Sequence, residues 1–215
     1  MKIVSLIPAR GGSKSIPKKN LYPLNGKPLI SYVIEASKAS LVDETWVSTD
    51  CPDIEKFALS LGVNVLKRPA RLATDTATTE SVLLHFVENV ICTDLLLIQP
   101  TSPMITFEDI NRGIELFKTQ EYSSVISVVD GDDMLIWDKK WHHPMNYDPY
   151  NRGRRQERTN TFVIETGGFY IISKENLLKN RCRITNNVGY CYVKKENIFE
   201  VDTLEDLEII SKLMS

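Results

Sequence analysis

The chain has 215 residues, enough for one well-buried core but short for two full domains. Its 26 Lys and Arg against 28 Asp and Glu give a formal net charge of −2, so no overall basic excess points to nucleic acid and its cations are local features. Apolar runs such as residues 95–98 are far too short to cross a bilayer, and no leader pattern precedes the first apolar run. The four cysteines, Cys51, Cys92, Cys182 and Cys191, have no C-x-x-C spacing. Together these features predict a cytoplasmic protein with reduced thiols. His85 falls on a helical pattern as a structural residue, and the His142-His143 pair reads as loop surface rather than a metal site.

Strand and helix patterns alternate through the first two thirds. An apolar strand at residues 3–7 ends at Pro8-Ala9, and a helical apolar face follows at positions 29, 30, 33, 34 and 36. Trp46-Val47-Ser48 is a short strand. Pro52 opens a helix with Ile54, Phe57, Ala58 and Leu61 inward, which Gly62 closes. Strands at 63–66 and 95–99 flank a helix capped by Thr78 or Thr79. A helix near 106–118 and a strand at 125–129 complete the alternation, which implies right-handed βαβ units. The predicted class is α/β with a doubly wound, mostly parallel, Rossmann-like sheet, and ligands belong at the carboxyl ends of its strands.

Residues 131–165 break the pattern, being polar and rich in Trp, His, Pro, Tyr and Arg. A long stretch of that kind reads as a protruding hairpin that pairs with a second subunit, or as a mobile lid. Strand-like segments return at 168–173 and 190–193. A last helix is capped at Thr203, with Asp206 three residues on. The organisation is one domain over 1–215 carrying 131–165 as an inserted arm.

The first strand delivers Arg10-Gly11-Gly12-Ser13-Lys14, with Lys18, Lys19 and Asn20 close behind. Paired glycines let a backbone approach an anion, and cations on both sides suit a triphosphate tail. Neither GxxxxGK[ST] nor GxGxxG is present, which argues against a P-loop ATPase and an ordinary dinucleotide dehydrogenase. The segment instead resembles the opening of the acylneuraminate cytidylyltransferases (CMP-sialic acid synthetases), a strand followed by A-R-x-x-S-K and then P-x-K-N.

Further blocks recur in order. Residues 68–79, RPARLATDTATT, are similar to the family's R-P-x-x-L-A-x-D block, which implies that Arg68, Ala77 and Thr79 line a cytidine pocket. From the residues alone, Arg68 suits a base or phosphate and Thr79 offers a hydroxyl at a helix start. Residues 96–103, LLIQPTSP, carry an intact L-Q-P-T-S-P, whose Gln99, Thr101 and Ser102 suit a polyhydroxylated sugar. The cytidylyltransferases of 3-deoxy-octulosonate sugars resemble Q-G-D-E-P at this point, which this chain lacks. Arg154-Arg155-Gln156 and then Glu165-Thr166-Gly167-Gly168-Phe169-Tyr170 resemble R-[RP]-Q and E-N-G-x-x-Y, with Thr166 where the family usually has Asn. The resemblance puts Arg155, Gln156 and Tyr170 on the sugar, and a guanidinium fork fits a sugar carboxylate. Finally, residues 199–207 resemble D-[IV]-D-T, with Asp202 matching and Glu200 replacing an Asp. Strand alternation puts Glu200 and Asp202 on one face, either as a Mg²⁺ anchor or as caps of the next helix.

The resemblance therefore implies CMP transfer from CTP to the anomeric hydroxyl of a nine-carbon 2-keto sugar acid, in a homodimer using Mg²⁺. Arg10 and Lys19 would be the catalytic cations and Gly11, Gly12, Ser13, Lys14 and Asn20 the phosphate cradle. A related nucleotidyltransferase with another nucleotide or sugar acid, and a non-catalytic nucleotide-binding regulator, are the alternatives.

Overall fold

The computed structural model describes residues 1–131, 134–154 and 162–215. A seven-stranded sheet forms its centre, in the order β5-β4-β1-β6-β8-β7-β9. The strands are β1 (Ile3–Pro8), β4 (Glu44–Thr49), β5 (Asn64–Lys67), β6 (Asp94–Ile98), β7 (Ser124–Asp130), β8 (Val163–Ser173) and β9 (Val188–Tyr192). All neighbours pair parallel except β8, which runs antiparallel between β6 and β7. The mostly parallel, doubly wound reading is borne out. β8 starts at Val163, so its first residues lie inside the stretch read as an excursion.

Helices cover both faces because each carries one apolar stripe. α1 (Leu29–Ala39), α2 (Pro52–Ser60) and α4 (Phe107–Lys118) pack one core, through Ile30, Val33, Ile34, Ile54, Ile110 and Ile114, against Leu96, Ile98 and Phe169. α3 (Thr79–Asn89) and α5 (Lys174–Asn180) close the other with Leu83, Phe86, Val87 and Leu177 against Leu95, Leu97 and Tyr170. Alternate residues of β6 thus serve opposite cores, as the period of a strand buried on both faces requires. Gly113 of α4 lets that helix lie on the Phe169 ring, since a Cβ there would fall 2.6 Å from it.

A third apolar cluster sets up the site. Ile16, Leu24 and Leu29 pack on Val201 and on Leu207 and Ile210 of α6 (Leu204–Leu213). The segment between β1 and α1 holds its shape with a hairpin of β2 (Pro23–Leu24) and β3 (Lys27–Pro28), turned by Asn25 and Gly26 at φ 46° and 82°. Positive φ at both central residues is the demand of a type I′ turn. Burial of this cluster brings the end of the chain beside its first loop.

Within the predicted arm, Asp138 N–H bonds the His143 carbonyl at 2.8 Å and Met145 N–H bonds the Ile136 carbonyl at 2.8 Å, making a small hairpin. His143 Nδ1 lies 3.1 Å from the Pro144 carbonyl, in keeping with a surface role. The cysteines are free thiols. No helix among the described residues is long and apolar enough to cross a membrane.

Candidate active site

β1 and β6 are neighbours, pairing Leu6 with Leu97, and the chain runs from β1 toward one edge of the sheet, at β4, and from β6 toward the other, at β7. Such a switch point opens a crevice at the carboxyl ends of the strands. Here it is a cavity of about 370 Å³ lined by Arg10, Gly12, Ser13, Lys14, Lys19, Asn20, Gln99, Thr101 and Asp202 among others. The N-terminal loop, the Q-P-T-S turn and the Asp202 carboxylate therefore meet in one place, although they are far apart in sequence.

The loop is held by its own polar groups. Gly11 N–H donates to Asp50 Oδ1 at 2.8 Å, and a Cβ at Gly11 would fall 2.7 Å from that of Cys51. Gly11 is thus a close-approach glycine whose N–H is already used, while Gly12 faces open space. Buried Asn20 lines the crevice and donates to the Arg10 carbonyl at 3.0 Å, fixing the base of the loop. The cations all have carboxylate partners. Arg10 Nη1 and Lys14 Nζ lie 2.7 Å from the two oxygens of Asp75, and Lys19 Nζ lies 3.0 Å from Asp202 Oδ1 and 2.9 Å from the Val201 carbonyl.

The carboxylate pair is not on a strand, which corrects the alternation argument. Residues 199–202 are an extended segment that follows a 3-10 turn at Lys195–Ile198. One backbone bond, Val201 N–H to the Thr101 carbonyl at 2.8 Å, ties this segment to the Q-P-T-S turn. With Val201 buried in the third cluster, Glu200 and Asp202 still share one opening, together with Glu165 and Thr166. Ser102, itself buried, donates to Glu200 Oε1 at 3.3 Å and so supports the carboxylate from behind. Gly167, at φ +73°, makes room, since a Cβ there would lie 2.2 Å from Glu200 Oε1. Burial, with the Asp202 charge adding to it, holds the Glu200 carboxyl above its usual range. The helix-cap alternative finds no support. α6 is capped by Thr203, whose side chain accepts from Asp206 N–H, while the Asp206 carboxylate takes the Thr203 N–H.

No cluster of three or more metal-type ligands occurs among the described residues. Two carboxylates still suffice for a Mg²⁺ that takes its remaining ligands from phosphate and water. Repulsion between Glu200 and Asp202 is what a cation there would relieve, so the donor set fits such an ion.

Arg68 is placed differently from the expectation. It is only 6% exposed, and its guanidinium donates to Ser48 Oγ at 3.2 Å, the Ser48 carbonyl at 2.8 Å and the Leu72 carbonyl at 3.5 Å. Burial lowers its pKa to about 10, against the pull of Asp50. In this arrangement Arg68 holds the end of β4 and the loop that follows β5. Thr78, not Thr79, caps α3 by accepting from Ser81 N–H at 3.2 Å; Thr79 is its first residue, and Ala77 closes the preceding turn onto the Thr74 carbonyl at 3.3 Å.

On the other wall, Gln99 is anchored by its N–H to the Gly168 carbonyl at 3.0 Å, leaving its side chain at the crevice. Thr166 Oγ1 meets Ser127 Oγ at 2.7 Å inside the sheet, where β7 and β8 slip register. Tyr170 is buried and donates to Glu165, with the Arg183 guanidinium 4.6 Å above its ring. Burial, reinforced by Glu165, pushes the phenol well above its usual range, so it stays a neutral donor. Arg155 and Gln156 lie outside the described residues. Asp75, which holds Arg10 and Lys14, is a site residue that the sequence reading lacks although it stands in the quoted 68–79 block, and Asp50, at a strand end where ligands belong, holds the loop through the Gly11 N–H.

A family model described as cytidylyltransferase matches residues 4–212. The chain belongs to the cytidylyltransferase family. N-acylneuraminate cytidylyltransferase A of Danio rerio is 37% identical over 216 residues, covering 93% of this chain and 48% of that protein. The N-acylneuraminate cytidylyltransferase of Oncorhynchus mykiss is 36% identical over 186 residues, covering 81% and 42%. That of Escherichia coli O18:K1:H7 is 30% identical over 221 residues, covering 97% and 51%. This cytidylyltransferase-family chain spans about half the length of those curated relatives. Among solved structures, CMP:2-keto-3-deoxy-manno-octonic acid synthetase complexed with CTP matches with a TM-score of 0.75 at 20% identity, covering 100% of this chain and 98% of that one. The 4-diphosphocytidyl-2C-methyl-D-erythritolsynthase of Anaerococcus prevotii matches at 0.70 with 13% identity, covering 99% and 96%. These two likenesses bear out the fold.

Proposed function

We propose that this chain transfers CMP from CTP to the anomeric hydroxyl of a nine-carbon 2-keto sugar acid of the sialic acid type, releasing pyrophosphate. The observation that carries this reading is the meeting of Arg10, Lys14 and Lys19 with Asp202 in one crevice at the β1–β6 switch point. The names of the acylneuraminate relatives support the substrates. The chemistry is phosphoryl transfer, in which positioning and charge neutralisation do most of the catalysis. Arg10 and Lys19 would neutralise the α-phosphate and the leaving pyrophosphate. Gly12, Ser13 and Lys14 would hold the tail, and Gln99 and Thr101 would orient the sugar.

Asp202, with Glu200, would hold Mg²⁺, which supplies Lewis-acid neutralisation of phosphate oxygens when bound. Asp202→Asn keeps the volume and removes the charge, so the Mg²⁺ concentration for half-maximal rate should rise several-fold, beyond any fall in rate at saturation. An unchanged Mg²⁺ titration would take Asp202 out of the metal site. Competition among CTP, UTP, ATP and GTP tests the nucleotide, with CTP the expected winner.

The reading includes a homodimer joined by the arm. Trp141 is 66% and Tyr150 98% exposed, aromatic surface of a kind that interface cores bury. Sedimentation is expected to give a dimer at micromolar concentration. Mixed Arg10→Ala and Arg155→Ala chains should regain part of the activity if arm arginines serve the neighbouring subunit. A fully active monomer would refute the dimer.

A further inference from the structure

We propose that Asp75 is the built-in counterion of the phosphate-binding loop, occupying on Arg10 and Lys14 the position that two oxygens of a polyphosphate would take. The inference rests on the phosphate reading of this crevice and adds a residue that the reading leaves without a role.

The geometry is that of a bridge. Asp75 Oδ1 is 2.7 Å from Arg10 Nη1 and Oδ2 is 2.7 Å from Lys14 Nζ, so each oxygen serves a different cation. A phosphate group presents oxygens to guanidinium and ammonium in the same charge-assisted way. Asp75 comes from a different wall than the loop it holds, in the turn between a 3-10 turn at Ala70–Leu72 and α3. Its side chain is 46% exposed and makes no other hydrogen bond among the described residues, so it can swing away without unpacking a core. Lys14 and Arg10 together hold its carboxyl below the usual range.

Two consequences follow from charge alone. An anion that uses Arg10 and Lys14 must displace Asp75 from both. A ligand that bridges the two cations replaces both contacts, whereas one that reaches a single cation leaves Asp75 on the other. Asp75 therefore competes with any anion for the two cations and weakens its binding. By recapturing the two cations it opposes rebinding of pyrophosphate.

The test is binding of inorganic pyrophosphate alone, by calorimetry, to the wild-type chain and to Asp75→Asn. The isosteric change removes one charge from an exposed pair, and such pairs are modest, so affinity should tighten about two- to fivefold. Cytidine, which lacks phosphate, should bind both forms equally. Glu35→Gln removes the same charge from the remote Lys27 pair and should leave pyrophosphate affinity unchanged. In an Arg10→Ala/Lys14→Ala background, Asp75→Asn should give no gain. Unchanged or weakened pyrophosphate binding in Asp75→Asn, or an equal gain in the double-alanine background, would overturn the counterion role while leaving the phosphate site standing. If the wild-type chain bound neither CTP nor pyrophosphate, the reading of the crevice would fall and this inference with it.

Discussion

Replacing Arg10 with alanine is expected to lower kcat/KM with CTP by on the order of 10²-fold or more while leaving the fold intact. The guanidinium sits at the carboxyl end of β1, on the wall of the crevice, and its partners are Asp75 and the Ala73 carbonyl at 3.5 Å. None of these contacts anchors a core. Stability should therefore change within roughly 0.5 kcal/mol, as for other half-exposed substitutions. The loop stays in place without the side chain, because Asn20 and Asp50 hold it through the Arg10 carbonyl and the Gly11 N–H. Thermal melting alongside steady-state kinetics separates the two effects. Near-normal turnover with an unchanged melt would remove Arg10 from the chemistry.

Arg68→Ala should do the reverse and act first on stability. The wild-type guanidinium bonds the Ser48 carbonyl and hydroxyl and the Leu72 carbonyl in a largely buried setting. Truncation leaves a cavity, strips the Ser48 carbonyl of a partner and takes the nearby cation from Asp50. Lost buried hydrogen bonds to a charged group together with a cavity amount to about 3 kcal/mol. For a chain of this size that is a fall in Tm of roughly 6–12 °C. Because Asp50 also holds Gly11, phosphate affinity should weaken with it. A melt within about 2 °C of wild type would show that Arg68 is free to serve the nucleotide instead.

The contrast between these arginines shows what the sequence could and could not convey. Both stand in quoted motif blocks beside strand ends, and residue type alone assigns both to phosphate or base. Only packing separates them, since β4 and β5 close over Arg68 while Arg10 stays on the crevice wall. Helices were legible because their apolar stripes and caps are local, as in the Thr203 and Asp206 pair. The Asn25-Gly26 hairpin carried a readable signal, a type I′ dipeptide, that was passed over. The antiparallel course of β8 was hidden, because its first half, with Glu165, Thr166 and Gly167, is polar and slips register at Ser127. Glu200 and Asp202 were found for an incomplete reason. Their shared opening comes from Val201 being buried on Ile16 and Leu207, not from a strand. Asp75 had no local signature as a counterion, since its partners lie 65 residues away in the case of Arg10 and in the same remote loop for Lys14.

The most direct test of the whole account is CTP-dependent release of pyrophosphate by the purified chain, with Mg²⁺ and a panel of sugar acids. N-acetylneuraminate, legionaminate, pseudaminate and 3-deoxy-octulosonate would be assayed singly, with formation of the CMP-sugar followed in parallel. The account predicts pyrophosphate and an equal amount of CMP-sugar with CTP and one of the nine-carbon acids, and little with UTP, ATP or GTP. Pyrophosphate release with none of the acids, or only with a nucleotide other than CTP, would contradict it.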